Sequence, residues 1–148
     1  MDSLQELFAL QAALNDKIFA KRGITGNDGQ ILSMERLTAL AKAGEGLGPN
    51  SETALWLRNF LKAHDDEARE LYEELPWKWW SKDVLDLQAI RVEIVDMLHF
   101  WISLSLASGM DAADVMRIYK GKHEINEKRQ DEGYSAQAKS GRDDTAVA

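Results

Sequence analysis

Four acidic residues have a spacing that suits metal chemistry. Glu67 and Glu70 lie three residues apart in the sequence, and so do Glu93 and Asp96. Residues at positions i and i+3 of a helix share one face, so each pair would point two carboxylates in one direction. If the two helices packed together, four carboxylates would converge in the oxygen environment that Mg²⁺ and Mn²⁺ prefer. The spacing therefore favours a divalent-metal site, with Mg²⁺ as the expected cofactor and Mn²⁺ as the alternative.

The segment around the second pair supports this interpretation. Over residues 92–107 only Glu93 and Asp96 are charged, and apolar residues occur on nearly every side of a helix drawn through the segment. Burying two unpaired carboxylates costs several kcal/mol unless a cation compensates them. That cation could be a metal ion or a basic side chain, with Arg69 and Arg91 as candidate partners. The residues alone leave both alternatives open.

The content of Cys and His restricts the metal chemistry further. The chain has no Cys and three His, which excludes a disulfide framework, a thiolate metal site and a Cys nucleophile. His99 follows Asp96 by about one helical turn, but Mg²⁺ prefers oxygen ligands. We therefore expect His99 to pack or to form hydrogen bonds, and we expect carboxylates to bind the metal.

A third group of residues suits phosphate. Lys122, Asn126 and Arg129 are spaced i, i+4 and i+7 and would share one helix face. Lys and Arg bind phosphate oxygens, and Arg can do so through two parallel hydrogen bonds. Taken alone, the pattern is better explained by a solvated face on which Glu124 and Glu127 are local partners. Together with the acidic pairs, it matches what a magnesium-bound triphosphate requires.

The elements that must position these residues are predicted to be helices. Two prolines, few β-branched runs and long 3.6-residue periodicities leave little room for a sheet. The first helix is expected to start at a capping box, Ser3 to Glu6. The fold class is therefore all-α, a compact bundle of four to five helices. We predict helices over residues 3–22, 33–43, 51–75, 86–108 and 111–132, one domain over residues 1–134 and a flexible polar tail over residues 135–148.

Charge and hydropathy limit the partners. The net charge of −7 makes the chain a poor nonspecific binder of nucleic acid, because such binding rests on Lys and Arg. The longest uncharged stretch, residues 97–110, is shorter than the ~20 residues that cross a bilayer, and the first residues lack the order of a signal peptide. We therefore expect a soluble cytoplasmic protein with no nucleic-acid or membrane partner.

The apolar helix around Glu93 bears on oligomeric state. It is apolar on too many sides for a monomer of four or five helices to cover it. A symmetric dimer or a dimer of dimers would bury it. We expect a homodimer or homotetramer.

Several stretches occur together in one order along most of the chain. They are Leu10-Gln11 through Asn15-Asp16, Glu67-x-x-Glu70, Pro76-Trp77-Lys78-Trp79-Trp80, Arg91-x-Glu93-x-x-Asp96-x-x-His99-Phe100, Gly121-Lys122 through Asn126, Arg129-Gln130 and Gly133-Tyr134. In this order the chain resembles the all-α nucleoside triphosphate pyrophosphohydrolases related to MazG, and within them the dimeric dUTPase branch. It is similar to a compact version of that branch.

The resemblance implies three sets of site residues. The metal ligands would be Glu67, Glu70, Glu93 and Asp96. The phosphate contacts would be Lys122, Asn126, Arg129 and Tyr134. The base and sugar pocket would be formed by Gln11, Asn15 and Trp79. For Trp77 and Trp80, packing of the turn between two helices is an equally good interpretation.

The resemblance also implies an activity, the magnesium-dependent hydrolysis of a deoxynucleoside triphosphate to its monophosphate and pyrophosphate, with dUTP as the expected substrate. A glutamate takes the proton of the attacking water, with Glu70 as the first choice of catalytic base and Glu67 as the alternative. A related house-cleaning or phage enzyme acting on dCTP, dATP or dGTP is the second interpretation. A noncatalytic helical interaction protein is the third.

Overall fold

The computed structural model describes residues 1–132 and residue 147, and within them the fold is all-α, as predicted. One isolated antiparallel bridge, between Thr25 and Ile31, interrupts the helical pattern. Each helix begins and ends within one residue of its predicted bounds. The five helices are α1 (Ser3–Arg22), α2 (Met34–Ala43), α3 (Glu52–Glu74), α4 (Leu87–Ala107) and α5 (Ala112–Glu132).

Side-chain caps explain where the first four helices begin. Ser33, Ser51 and Asp86 each accept a hydrogen bond from a backbone N–H in the first turn of the helix that follows, which satisfies a donor that has no partner within the helix. The predicted capping box at Ser3 was wrong by one residue. The box is formed by Asp2 and Gln5. The Asp2 carboxylate accepts a hydrogen bond of 2.9 Å from the Gln5 backbone N–H, and the Gln5 side chain accepts one of 2.9 Å from the Asp2 backbone N–H. Ser3 is therefore the first residue of the helix and not its cap.

The chain divides into two compact units, residues 1–109 and residues 110–148. In the first unit, α4 contacts each of α1, α2 and α3, and its most extensive packing is against α3. The core of this unit is built from six buried side chains with Trp56 and Phe100 packed against them. Trp56 lies between two of the core aromatic rings, with ring centroids 5.1 Å from Phe19 and 5.6 Å from Phe60. The six are Phe19, Leu32, Met34, Leu37, Phe60 and Ala107.

The described part of the second unit consists mainly of α5. The predicted tail over residues 135–148 lies outside the described residues, apart from residue 147, and the single domain over residues 1–134 stays a prediction. Among the helices that the structure describes, none combines the length and the apolar character needed to span a membrane.

A partly buried ion pair stabilises the loop between α1 and α2. The Arg36 guanidinium lies 2.8 Å from Glu52 Oε2 and 3.1 Å from Asp28 Oδ2. Glu52 is buried, and its Oε1 accepts a hydrogen bond of 2.9 Å from the backbone N–H of Asn27. Because the buried carboxylate has both a charged partner and a backbone donor, the cost of its desolvation is offset.

Gly26 lies against this ion pair, which generates a prediction about stability. A Cβ at Gly26 would lie 2.7 Å from Glu52 Oε1 and 2.8 Å from Arg36 Nε. We expect Gly26→Ala to lower the free energy of unfolding by about 1–3 kcal/mol, the usual cost of overpacking. Gly48→Ala is the control, because no atom lies within 4 Å of the Cβ that it adds. Equal free energies for the two variants in urea titrations would contradict this account of the loop.

Candidate active site

Packing of α3 against α4 brings the predicted metal ligands together. Glu67 on α3 and Glu93 and Asp96 on α4 each place one carboxylate oxygen so that the three oxygens lie within 4.8 Å of one another. All three side chains are half-buried. The two acidic motifs therefore meet at one point of the helix pair, as their spacing predicted. We call Glu67, Glu70, Glu93 and Asp96 the acidic cluster.

Two oxygens of the acidic cluster are cut off from water. Glu67 Oε2 and Glu93 Oε2 are both inaccessible, and neither has a hydrogen-bond partner within the described residues. A carboxylate oxygen removed from water without a partner costs free energy, which a proton or a cation can offset. The arrangement fits a bound divalent cation, because the donors are hard oxygens on two rigid elements.

The electrostatics of the acidic cluster agree with this geometry. Burial, followed by repulsion from Glu70 and Asp96, raises the pKa of Glu67 to about 7. The same causes, with burial again first and Glu70 next, raise the pKa of Glu93. Without a cation, Glu67 and Glu93 therefore hold a proton more tightly than ordinary glutamates do.

Glu70 lies beside the three oxygens but does not contribute one of them. It is half-buried, and its charge adds to the effect of burial in raising the pKa of both Glu67 and Glu93. The closest group of ligand atoms is formed by the other three acids. The structure thus gathers all four predicted acids and separates Glu70 from the tightest set.

The two arginines predicted as alternative ion-pair partners of these acids, Arg69 and Arg91, are placed otherwise in the described residues. Arg69 points its guanidinium at two exposed acids of its own helix, 2.6 Å from Asp66 and 3.0 Å from Glu73. Arg91 is exposed. Over residues 1–132 neither arginine forms an ion pair with the acidic cluster.

The two amide residues predicted for the base pocket lie between α1 and α4. Gln11 and Asn15 are both buried, and Gln11 Nε2 donates a hydrogen bond of 2.9 Å to Asn15 Oδ1. Gln11 and His99 are the polar residues on the wall of an apolar groove of about 170 Å³, which we call the α1–α4 groove. Mostly apolar grooves with a few fixed polar groups are typical of small-molecule sites. The apolar lining residues are Leu7, Leu10, Leu14, Val95, Leu98 and Ile102.

His99 and Ser103 complete the polar contacts of the amides. His99 Nδ1 is hydrogen-bonded to Gln11 Oε1, so His99 forms hydrogen bonds as predicted. Asn15 Nδ2 donates to Ser103 Oγ at 2.9 Å, and Ser103 is fully buried. The sequence reasoning missed Ser103, whose one signal was its position four residues after His99 within an apolar run.

Trp79 is placed differently from the two amides. It is 89% exposed in the segment between α3 and α4, its ring packs edge-to-face against Trp80 at 5.5 Å, and it is not among the residues that line the α1–α4 groove. Trp77 also packs on Trp80, at 5.9 Å. Trp77 and Trp80 thus contact each other but are 74% and 60% exposed. Their interpretation as a packed turn and the role of Trp79 in base binding both stay predictions.

The predicted phosphate ligands belong to the second unit. Lys122, Asn126 and Arg129 lie on α5, where Lys122 is half-buried, Asn126 exposed and Arg129 buried. Tyr134 lies outside the described residues. The phosphate-binding role of these four residues stays a prediction.

Comparisons with known proteins place the chain among nucleotide hydrolases. Residues 3–112 match the family model described as dUTPase. The dCTP pyrophosphatase of Enterobacteria phage LZ5 is 30% identical over 115 residues, which cover 61% of this chain and 67% of that protein. The dCTP pyrophosphatase of Enterobacteria phage T4 is 29% identical over 104 residues, which cover 53% of this chain and 61% of that protein.

A third relative is a DNA replication protein of Enterobacteria phage T4. It is 28% identical over 103 residues, which cover 51% of this chain and 26% of that protein. The chain thus spans only part of the length of each of these relatives. No solved structure matches the chain.

The raised pKa of Glu67 generates a prediction about pH. In the folded protein Glu67 releases its proton at a pH of about 7 instead of its ordinary 4.5. Between these values the folded state binds more protons than the unfolded state, so this group makes the free energy of unfolding fall as pH rises. In metal-free buffer we expect the free energy of unfolding of Glu67→Gln to fall less steeply with rising pH than that of the wild type.

Added Mg²⁺ should raise the melting temperature of the wild type more at about pH 8 than at about pH 6, because a proton competes for the same oxygens. Glu73→Gln, an exposed change on the same helix, serves as the control for both measurements and should behave as the wild type does. A Mg²⁺ effect that is independent of pH, or equal in the Glu67→Gln variant, would rule out this assignment.

Proposed function

The chain belongs to the dUTPase family, and from that membership we propose that it is a magnesium-dependent pyrophosphohydrolase of deoxynucleoside triphosphates. The expected reaction converts dUTP and water to dUMP and pyrophosphate. The phage relatives named as pyrophosphatases support the same reaction class. The family assignment agrees with the all-α fold of the described residues.

The observation that carries the proposal is the acidic cluster. Three carboxylate oxygens from two helices lie within 4.8 Å of one another, and one oxygen of Glu67 and one of Glu93 are buried without a partner in the described part of the chain. A purely structural protein would gain nothing from holding these charges together, because the repulsion costs stability. A metal-dependent phosphohydrolase requires such a cluster to bind its cation.

Different acids of the cluster are assigned to metal binding and to proton transfer. Glu67, Glu93 and Asp96 would hold Mg²⁺ or Mn²⁺, and the ion would supply charge neutralisation at the phosphate oxygens and a water of lowered pKa. Glu70 lies outside the tightest set of oxygens yet next to Glu67 and Glu93, so its carboxylate remains available. We assign Glu70 as the base that accepts the proton of the attacking water, with Glu67 as the alternative.

The other end of the substrate is assigned to the α1–α4 groove. Its apolar walls suit a nucleobase, and the Gln11 amide offers both a donor and an acceptor to a pyrimidine edge. Asn15 contributes by accepting a hydrogen bond of 2.9 Å from Gln11 Nε2, which holds the Gln11 amide in place. This assignment agrees with the pocket implied by the resemblance, for which Trp79 and the phosphate ligands on α5 remain predictions.

dCTP is the second candidate substrate. Two relatives, about 30% identical to this chain, carry the name dCTP pyrophosphatase. Uracil and cytosine differ at the two ring positions that an amide can read, so the same pocket could be built for either base. The family match keeps dUTP as the first candidate.

The activity is tested with a panel of deoxynucleoside triphosphates in the presence of Mg²⁺, scored for pyrophosphate release. We expect turnover of dUTP or dCTP, and we expect Glu93→Gln to lower it by about 100-fold or more, because even changes outside the ligand shell of a metal cost 10–100-fold. Glu73→Gln should keep the wild-type rate, since Glu73 is exposed and pairs with Arg69 outside the acidic cluster.

Two results would contradict the proposed function. One is a wild-type protein that releases no pyrophosphate from dUTP, dCTP, dATP or dGTP. The other is a Glu93→Gln variant that retains full turnover. Comparable turnover of dUTP and dCTP would remove the dUTP label while leaving the reaction class intact.

We also propose that a second copy of the chain covers the apolar side of the first unit. Leu10 on α1 and Ile94 and Val95 on α4 are more than half exposed, at 61%, 52% and 51%. Because Leu10 and Val95 also line the α1–α4 groove, the second copy would border the proposed base pocket. Large contiguous apolar patches on a protein surface mark interaction sites. A symmetric pairing would bring the same side chains together from both copies.

Sedimentation tests this pairing. At micromolar concentration we expect a species of at least twice 16.7 kDa, and we expect Ile94→Lys to dissociate it, because a buried unpaired ammonium is costly. Leu55→Lys, at a similarly exposed position on α3, should leave the assembly intact. A wild-type protein that sediments only at 16.7 kDa would overturn the pairing.

A further inference from the structure

Four side chains form a continuous hydrogen-bond relay between α1 and α4. Gln11 Nε2 donates to Asn15 Oδ1 at 2.9 Å, and Asn15 Nδ2 donates to Ser103 Oγ at 2.9 Å. Ser103 Oγ lies 3.0 Å from the backbone carbonyl of His99, and His99 Nδ1 is bonded to Gln11 Oε1. The relay thus begins and ends on His99, and three of its members are buried.

The backbone carbonyl of His99 determines which group donates and which accepts in every hydrogen bond of the relay. A backbone carbonyl can only accept, so the single hydroxyl proton of Ser103 is donated to His99 O. Ser103 Oγ must then accept from the Asn15 amide nitrogen, which turns Asn15 Oδ1 towards Gln11. Asn15 Oδ1 in turn accepts from Gln11 Nε2, which leaves Gln11 Oε1 facing His99. The His99 ring must therefore carry its proton on Nδ1.

This direction determines what Gln11 offers to a molecule in the α1–α4 groove. The amide oxygen has a second lone pair and the amide nitrogen has a second hydrogen, and the relay fixes which end of the amide lies beside His99. Uracil presents N3–H as a donor next to O4 as an acceptor. Cytosine presents N3 as an acceptor next to an N4 amino group as a donor. For a base that its sugar and phosphates hold in one pose, a fixed amide therefore matches one base, and the reversed amide matches the other.

We infer that Ser103 and His99 are positioning residues that set the base preference of this protein by fixing the orientation of the Gln11 amide. This inference rests on the proposed function, because it takes the α1–α4 groove as the base pocket. Ser103 is not among the residues that line the groove and would act through Asn15 and Gln11, whereas His99 lines the groove and also holds the Gln11 amide oxygen. Without the Ser103 hydroxyl, the Asn15 and Gln11 amides can turn over together while His99 changes its tautomer, and both orders of donor and acceptor become available.

Substrate selectivity tests the inference. We expect the wild type to prefer dUTP or dCTP by about tenfold or more in kcat/KM, the usual worth of a bidentate amide contact to a base edge. Ser103→Ala should bring that ratio towards one through KM, with kcat for the preferred substrate little changed. His99→Leu should also bring the ratio towards one.

Ser105→Ala is the matched control. Ser105 is also buried on α4 and also donates to the carbonyl four residues earlier, at 2.9 Å from Trp101 O, but it lies outside the relay. Its selectivity should equal that of the wild type. An unchanged ratio in Ser103→Ala, or equal losses of selectivity in both serine variants, would overturn the inference.

A second measurement is independent of turnover. Nitrogen-15 NMR of the imidazoles at about pH 8, where an imidazole is neutral, should show His99 protonated on Nδ1 in the wild type and in Ser105→Ala. Ser103→Ala should show a mixture of tautomers. The signal is assigned by its absence in His99→Leu. A wild-type His99 protonated on Nε2 would overturn the inference even if the enzyme is active, whereas an inactive wild type with the expected tautomer would count against the proposed function alone.

Discussion

The packing of α3 against α4 holds three carboxylate oxygens within 4.8 Å of one another against their mutual repulsion. The apolar contacts of the helix pair supply the free energy that makes this arrangement stable. Burial of the same carboxylates raises the pKa of Glu67 to about 7, so a proton or a cation is needed to neutralise them. The rest of the site depends on this constraint, because it decides where a metal-bound phosphate could lie.

Helix α4 connects the two ends of the candidate site. Asp96, His99 and Ser103 lie on one stripe of the helix, with the acidic cluster at its beginning and the hydrogen-bond relay at its end. From Asp96 to Ser103 the helix rises about 10 Å. A single rigid element therefore fixes the distance between the acidic cluster and the amides that face the α1–α4 groove, which favours precise positioning over a site built on loops.

Much of the fold and part of the site could be predicted from local sequence. Ser33, Ser51 and Gly23 mark helix ends through short-range physics, and the i, i+3 spacing of the acids needs only the helical repeat. The relay could not be predicted, because Ser103 looks like a neutral residue in an apolar run until α1 lies against it. The partners of Arg69 could not be predicted either, because several acids lie within its reach on the same helix. The structure shows that it pairs with Asp66 and Glu73 and not with the acidic cluster.

The central claim is that the acidic cluster binds a divalent cation, and a crystal of the full chain grown with Mn²⁺ tests it most directly. Anomalous scattering at the manganese edge locates the ion without reference to activity. We predict a peak bound by carboxylate oxygens of Glu67, Glu93 and Asp96, and no peak there in Glu93→Gln crystals grown in the same way. A wild-type crystal with the acidic cluster free of manganese, or with the ion bound only elsewhere, would contradict the account.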